Sequence, residues 1–336
     1  MIKGHGDDLY LYKGIRNRIN FSSNVCEGTD RAGLEAHLQS RLSALISAYP
    51  EPEPYSLEAE LAAFYGVDCT NISVTSGATE GIYLIAQLFH HGRSAVLQPT
   101  FSEYADAAKV HNHTVTNFFS LEELPQKADI IWLCNPNNPT GRVWDTDMLQ
   151  SLIRQNPDKV FVIDQSYEYF TLKELFTVKE AIEWPNVILL HSMTKRYAIP
   201  GIRLGYITAG RCITDRLKQI RMPWSVNALA IEAGLYLLSK KLPQTLNISS
   251  LLKESQVLRE NIGRISGFQV EPTDTHYFLA HCNRMSASEL KQYLISEHGI
   301  LIRDASNFIS LNSGHFRIAA QTPKQNDKLL YALKSL

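Results

Sequence analysis

The sequence is notable first for what it lacks. No apolar run approaches the roughly 20 residues that cross a bilayer, which excludes a helical membrane span. No internal repeat, Gly/Ser linker or long block of like charge interrupts its 336 residues. The formal net charge is only -1, from 33 Lys and Arg against 34 Asp and Glu. Net charge therefore draws the chain toward neither nucleic acid nor an anionic membrane, and neither is expected as a partner. The five cysteines (Cys26, Cys69, Cys134, Cys212 and Cys282) are scattered and never spaced as CxxC, so neither a disulfide framework nor a zinc site is expected. The first eight residues, Met-Ile-Lys-Gly-His-Gly-Asp-Asp, contain no apolar stretch of a signal peptide, and a cytoplasmic protein with reduced thiols is the expectation. No GxGxxG follows the first candidate strand, which argues against a dinucleotide site. What is present is 44% hydrophobic and 20% charged, enough apolar material for a sizeable core and the length of two domains.

The middle of the chain alternates short apolar runs with amphipathic stretches. Ile72–Thr75, Ala95–Leu97, Ile130–Cys134, Val160–Ile163, Val187–His191 and Leu204–Thr208 are apolar on both faces, as strands in a covered parallel sheet are. Glu80–Phe89, Phe101–Val110, Thr146–Gln155 and Val178–Glu183 between them have helical spacing or composition. This alternation predicts an α/β layered fold with a mostly parallel sheet. After Pro223 the texture changes to helices at Ser225–Ser239, Ser249–Ile265, Ser286–Glu297 and Lys324–Leu333, with short strands around Tyr277–Ala280, Leu301–Arg303 and His315–Ile318. The expected organisation is an arm (1–32), a large domain (33–224) and a smaller α+β domain (225–336).

Four places carry candidate chemistry. Ser192-Met193-Thr194-Lys195 follows an apolar strand, so the lysine stands at the sheet's carboxyl edge, where open α/β folds bind ligands. Arg203 follows eight residues later. Ser76-Gly77-Ala78-Thr79-Glu80 opens a helix, whose free N–H groups can hold an anion. Asp164 ends a strand at the same edge, and Asn135-Pro136-Asn137-Asn138-Pro139-Thr140-Gly141 leaves another. Taken singly, each has an ordinary explanation as a solvated lysine, a helix cap or a turn.

Taken together, Asn138-Pro139-Thr140-Gly141, Asp164 with Tyr167, Ser192-x-Thr194-Lys195 and Arg203 resemble, in order and spacing, the fold-type-I aminotransferases of class I/II. The resemblance covers essentially the whole chain. It implies pyridoxal 5'-phosphate (PLP) held as a Schiff base on Lys195, with Asp164 at the pyridine nitrogen. Asn138 and Tyr167 would bond the phenolic oxygen, and Phe101 would stack on the ring. Gly77, Ala78, Ser192, Thr194 and Arg203 would hold the phosphate. Tyr49 matches a tyrosine that reaches a neighbouring subunit's phosphate, which implies a homodimer with shared sites. Arg317 matches the arginine that forks the carboxylate of a small-molecule substrate.

Two branches of the family fit best, the histidinol-phosphate aminotransferases and the L-threonine-O-3-phosphate decarboxylases that serve cobalamin synthesis. Lys195–Gly201, Met222–Ala228 and Gly299–Arg303 look more like the decarboxylases, with Trp224 expected at the pocket. His5, Asn24 and Arg303 then fall at substrate positions. Three stretches depart from the pattern: Asp7 and Asp8 after His5-Gly6, Asn24-Val25 without the usual proline, and Gln165-Ser166 after Asp164. The implied reaction is decarboxylation of threonine phosphate, with transamination as the alternative. A PLP-fold regulator without turnover would need Lys195 or Asp164 lost, or a helix-turn-helix attached, and the sequence shows neither.

Overall fold

A computed structural model describes all residues except 1–7, 13, 16–17, 26–28 and 240–246. Its centre is a seven-stranded sheet in the order Ile72–Thr75, Gly205–Ala209, Val187–Ser192, Val160–Asp164, Ile130–Cys134, Arg93–Leu97, Thr114–Phe118. Gly205–Ala209 pairs antiparallel with both neighbours, and the other six strands run one way. The branched, two-sided apolar composition explains this. Val162, Ile188, Ile207 and Trp132 fill the core on one face, while Ile131, Phe161, Ile163 and Leu189 fill the core on the other. Each such side chain contributes about 1.5–3 kcal/mol on burial.

Thr114–Phe118 is an edge strand that the apolar pattern does not predict, because most of its residues face solvent. The helices Ala32–Ser47, Tyr55–Tyr65 and Arg211–Ile220 are likewise additions to the expected elements.

A second, four-stranded antiparallel sheet has the order Arg303–Asp304, His315–Ala319, Tyr277–Cys282, Phe268–Val270. The helices Ile248–Gly263, Ala287–His298 and Pro323–Lys334 pack on it through Leu258, Leu290, Leu294 and Leu329. The arm joins this body: Ile19–Asn20 pairs parallel with Ile300–Leu301, and Phe21 is fully buried in the same core. The helix Ala228–Ser239, which a boundary at residue 225 places with the C-terminal body, buries Ala230, Ile231 and Leu237 against Leu57, Leu61 and Leu204 of the large domain. No helix among the described residues is long and apolar enough to cross a membrane.

Candidate active site

Register concentrates the chemistry at one edge of the large sheet. Gly205 stands opposite Thr75 on one side and Ser192 on the other. The segments that leave these strand ends, Ser76–Ala78, Ser192–Lys195 and Arg203, therefore emerge together. Glycine is required at two of these points. Gly77 has φ +81°, and a Cβ there would lie 2.7 Å from Arg203 Nη2. A Cβ on Gly205 would lie 2.6 Å from the Ala78 amide nitrogen. Arg203 itself sits at φ +59°, a strained conformation for a residue with a side chain. Ser192 and Thr194 hydroxyls lie 2.7 Å apart beside it. The result is a concave set of amides, hydroxyls and one guanidinium at a helix N-terminus, the donor chemistry that suits a phosphate.

A cavity of about 400 Å³ opens from this edge. Lys195, Asp164, Tyr167, Asn138, Phe101 and Ala78 line it together with Asn24, Arg303 and Arg317. The Lys195 ammonium stands 6.0 Å from the centre of the Tyr167 ring. Asp164 is buried, accepting hydrogen bonds from the Tyr104 hydroxyl at 2.7 Å and the Ser166 amide at 2.8 Å. Burial raises its pKa, while those hydrogen bonds and His191 oppose the rise. A carboxylate held by neutral donors at the floor of a cavity is chemically suited to a cationic ring nitrogen. Burial pushes Tyr167 up to about 12, and the Arg317 charge offsets part of that. Neither amide atom of Asn24 completes a hydrogen bond among the described residues. The residues present fit PLP in their chemistry: a lysine, a set of donors suited to a phosphate, a buried carboxylate and buried polar groups around one cavity.

Arg317 donates to Asn138 Oδ1 and, at 2.6 Å, to the Ser22 carbonyl. Arg303 and Arg317 are register partners on adjacent strands, and both are buried. Arg303 donates to Asn307 Oδ1 at 2.8 Å and to the Asp304 carbonyl. Burial first, then Arg317, lowers its pKa to about 10, against the pull of Asp304 and Asp8. Asp8 forms an ion pair with Lys291. His5 and Asp7 lie outside the described residues.

Tyr49 is expected to reach a neighbouring subunit's phosphate, not the cavity of its own chain. Tyr49 is 88% exposed and takes no part in this chain's cavity. Trp224, expected at the pocket, is instead half exposed, with its ring 5.7 Å from that of Tyr49 and its amide bonded to the Pro52 carbonyl. Its backbone has a φ of +58°. Asn137 was missed by sequence reasoning, which fixed on Asn138. Its side chain joins Pro99 and Thr100, just before Phe101, to the Asn135–Gly141 turn.

A sheet-edge lysine, an anion cradle beside it and a buried carboxylate below define a PLP-dependent enzyme of fold type I. The chain belongs to the class I and II aminotransferase family, whose profile matches residues 16–333. The crystal structure of L-threonine-O-3-phosphate decarboxylase from Porphyromonas gingivalis is similar at a TM-score of 0.92 and 37% identity, covering 94% of this chain and 98% of that one. The threonine-phosphate decarboxylase of Salmonella typhimurium is 29% identical over 333 residues, 95% of this chain and 91% of its own. The histidinol-phosphate aminotransferase of Thermoanaerobacter sp. is 31% identical over 310 residues, 88% of this chain and 86% of its own.

Proposed function

We propose that this enzyme decarboxylates a small α-amino acid carrying a second anionic group, with L-threonine O-3-phosphate as substrate and aminopropanol phosphate as product. The observation that carries the reading is the pair Arg303 and Arg317, buried and directly opposite on neighbouring strands. Like charges in that arrangement are unfavourable unless anions meet them. Arg317 binds the α-carboxylate; Arg303, with His5 and Asn24, takes the distal phosphate. The likeness to threonine-phosphate decarboxylases over nearly the whole chain supports this assignment.

Bound PLP supplies the sink for electrons left on the substrate Cα. The protein selects which bond gives them up. Arg317 would hold the α-carboxylate in the orientation from which it leaves as carbon dioxide, and Lys195 would return a proton to Cα. Turning the Cα–H into that position would give transamination. The similarity to a histidinol-phosphate aminotransferase favours that second reading.

The active unit is a homodimer. The exposed apolar residues Leu42, Ile46, Tyr49, Met222 and Trp224 support it, and on this reading Tyr49 serves the partner's phosphate rather than its own. The free thiols of Cys69, Cys134, Cys212 and Cys282 support a cytoplasmic setting. The test is incubation with threonine phosphate, with and without a 2-oxo acid, beside histidinol phosphate with 2-oxoglutarate. Carbon dioxide from threonine phosphate is expected; amination of the acceptor alone would favour the aminotransferase.

A further inference from the structure

The cofactor ring requires two protein surfaces, Phe101 across its face and Asp164 at its nitrogen, and one further residue touches both. Tyr104, in the helix Glu103–Val110, is fully buried and donates its hydroxyl to Asp164 Oδ2 at 2.7 Å. The Tyr104 and Phe101 rings meet edge to face, 5.9 Å apart at 85°. We propose that Tyr104 is a positioning residue for the PLP ring, setting the orientation of the Asp164 carboxylate through its hydroxyl and the pose of Phe101 through its ring. The inference rests on the reading of this cavity as a PLP site.

A tyrosine suits the task for two reasons. Its hydroxyl is a neutral donor, so it orients the carboxylate without neutralising the charge that the ring nitrogen needs. A lysine or arginine there would compete with the cofactor. Burial and Asp164 also raise its own pKa well above the usual value, so it keeps the proton it donates.

The ring is locked from behind. It stacks on Trp132 at 5.6 Å and 18°. The Trp132 indole N–H donates to Ser94 Oγ at 3.0 Å, and Ser94 lies 2.8 Å from His113 Nδ1. His113 Nε2 lies 2.8 Å from the Ala86 carbonyl, which can only accept. In a neutral imidazole Nε2 therefore donates and Nδ1 accepts from Ser94, and every polar group in the chain is satisfied. The sheet core thus fixes Tyr104, and Tyr104 fixes the two groups that hold the ring.

Tyr104→Phe keeps both ring contacts and deletes only the hydroxyl. The other groups facing Asp164 are Ser166 and Tyr167 on the following turn, His191 on one neighbouring strand and Cys134 on the other, and the substitution leaves all of them in place. With its donor gone, Asp164 holds the ring nitrogen less firmly as a cation, and that ring withdraws less electron density from the Lys195 nitrogen. The pH midpoint of the bound cofactor's visible band is then expected to move up by about 0.5–1 unit. kcat is expected to fall about tenfold with KM changed less than about twofold. Tyr104→Leu, which also frees Phe101, should raise the PLP dissociation constant about tenfold beyond that of Tyr104→Phe. An unchanged midpoint in Tyr104→Phe overturns the inference, including the case where activity drops only in step with a lower melting temperature. A wild-type protein with no visible band overturns the reading of the cavity itself, and the inference with it.

Discussion

Gly77 and Arg203 are packed so closely that a β-carbon on the glycine would stand 2.7 Å from the guanidinium, at a φ of +81° that side chains avoid. The cradle's shape depends on that missing carbon. Gly77→Ala is expected to fold but to weaken PLP binding at least about tenfold, because the arginine must shift and the backbone is strained. Equilibrium dialysis of PLP against the two proteins checks this. Equal dissociation constants would remove Gly77 from the cradle.

Asp164 gives a pH prediction for the PLP-free protein and a kinetic one for the loaded enzyme. In the PLP-free protein, burial raises its pKa above the unfolded value. The folded state then binds more protons between those two values, so stability falls as pH rises through the window. Asp164→Asn should remove that fall and leave the PLP-free protein more stable than wild type at neutral pH. In the loaded enzyme the same change should lower kcat at least about a hundredfold while PLP is retained. Melting curves of the PLP-free proteins from about pH 4, the ordinary carboxyl pKa, upward to about pH 8 read the first effect. A parallel pH dependence in wild type and variant would contradict it.

Arg303→Ala should raise KM for threonine phosphate by about 30- to 100-fold, the worth of charge-assisted hydrogen bonds to an anion, and leave PLP binding unchanged. Steady-state kinetics with threonine phosphate and with unphosphorylated threonine separate the two cases. An equal KM change for both substrates would take Arg303 off the phosphate.

The shared-site proposal is tested by mixing. Lys195→Ala and Tyr49→Phe subunits, each impaired alone, form heterodimers in which one site has both residues intact. Random re-pairing should restore about a quarter of the wild-type sites. No recovery, with subunit exchange shown by mass, would contradict a role for Tyr49 across the dimer.

The sheet was legible because its strands are apolar on both faces, and Thr146–Gln155 and Val178–Glu183 matched their helices to the residue. Thr114–Phe118 was not legible, since an edge strand has little to bury. The helix Arg211–Ile220 carried its signal in the spacing of Ile213 and Leu217, which sits among eight mostly polar residues. The candidate cofactor residues could be named as a group only through the family resemblance, and the fold brings Asn138, Asp164, Tyr167, Lys195 and Arg203 to one cavity. Tyr104 was not legible, because its role comes from a contact 60 residues away in sequence. Trp224 lies against Tyr49 and outside this chain's cavity, a contact between segments far apart in sequence that its own neighbours do not announce.

That the paired arginines serve a substrate that loses its carboxyl group is tested most directly with carboxyl-labelled threonine phosphate. In the absence of any 2-oxo acid, labelled carbon dioxide should form over many turnovers per Lys195 and match the aminopropanol phosphate produced. Label retained in the substrate, with a single amino group transferred per site before turnover stops, would contradict the account and mark the enzyme as an aminotransferase.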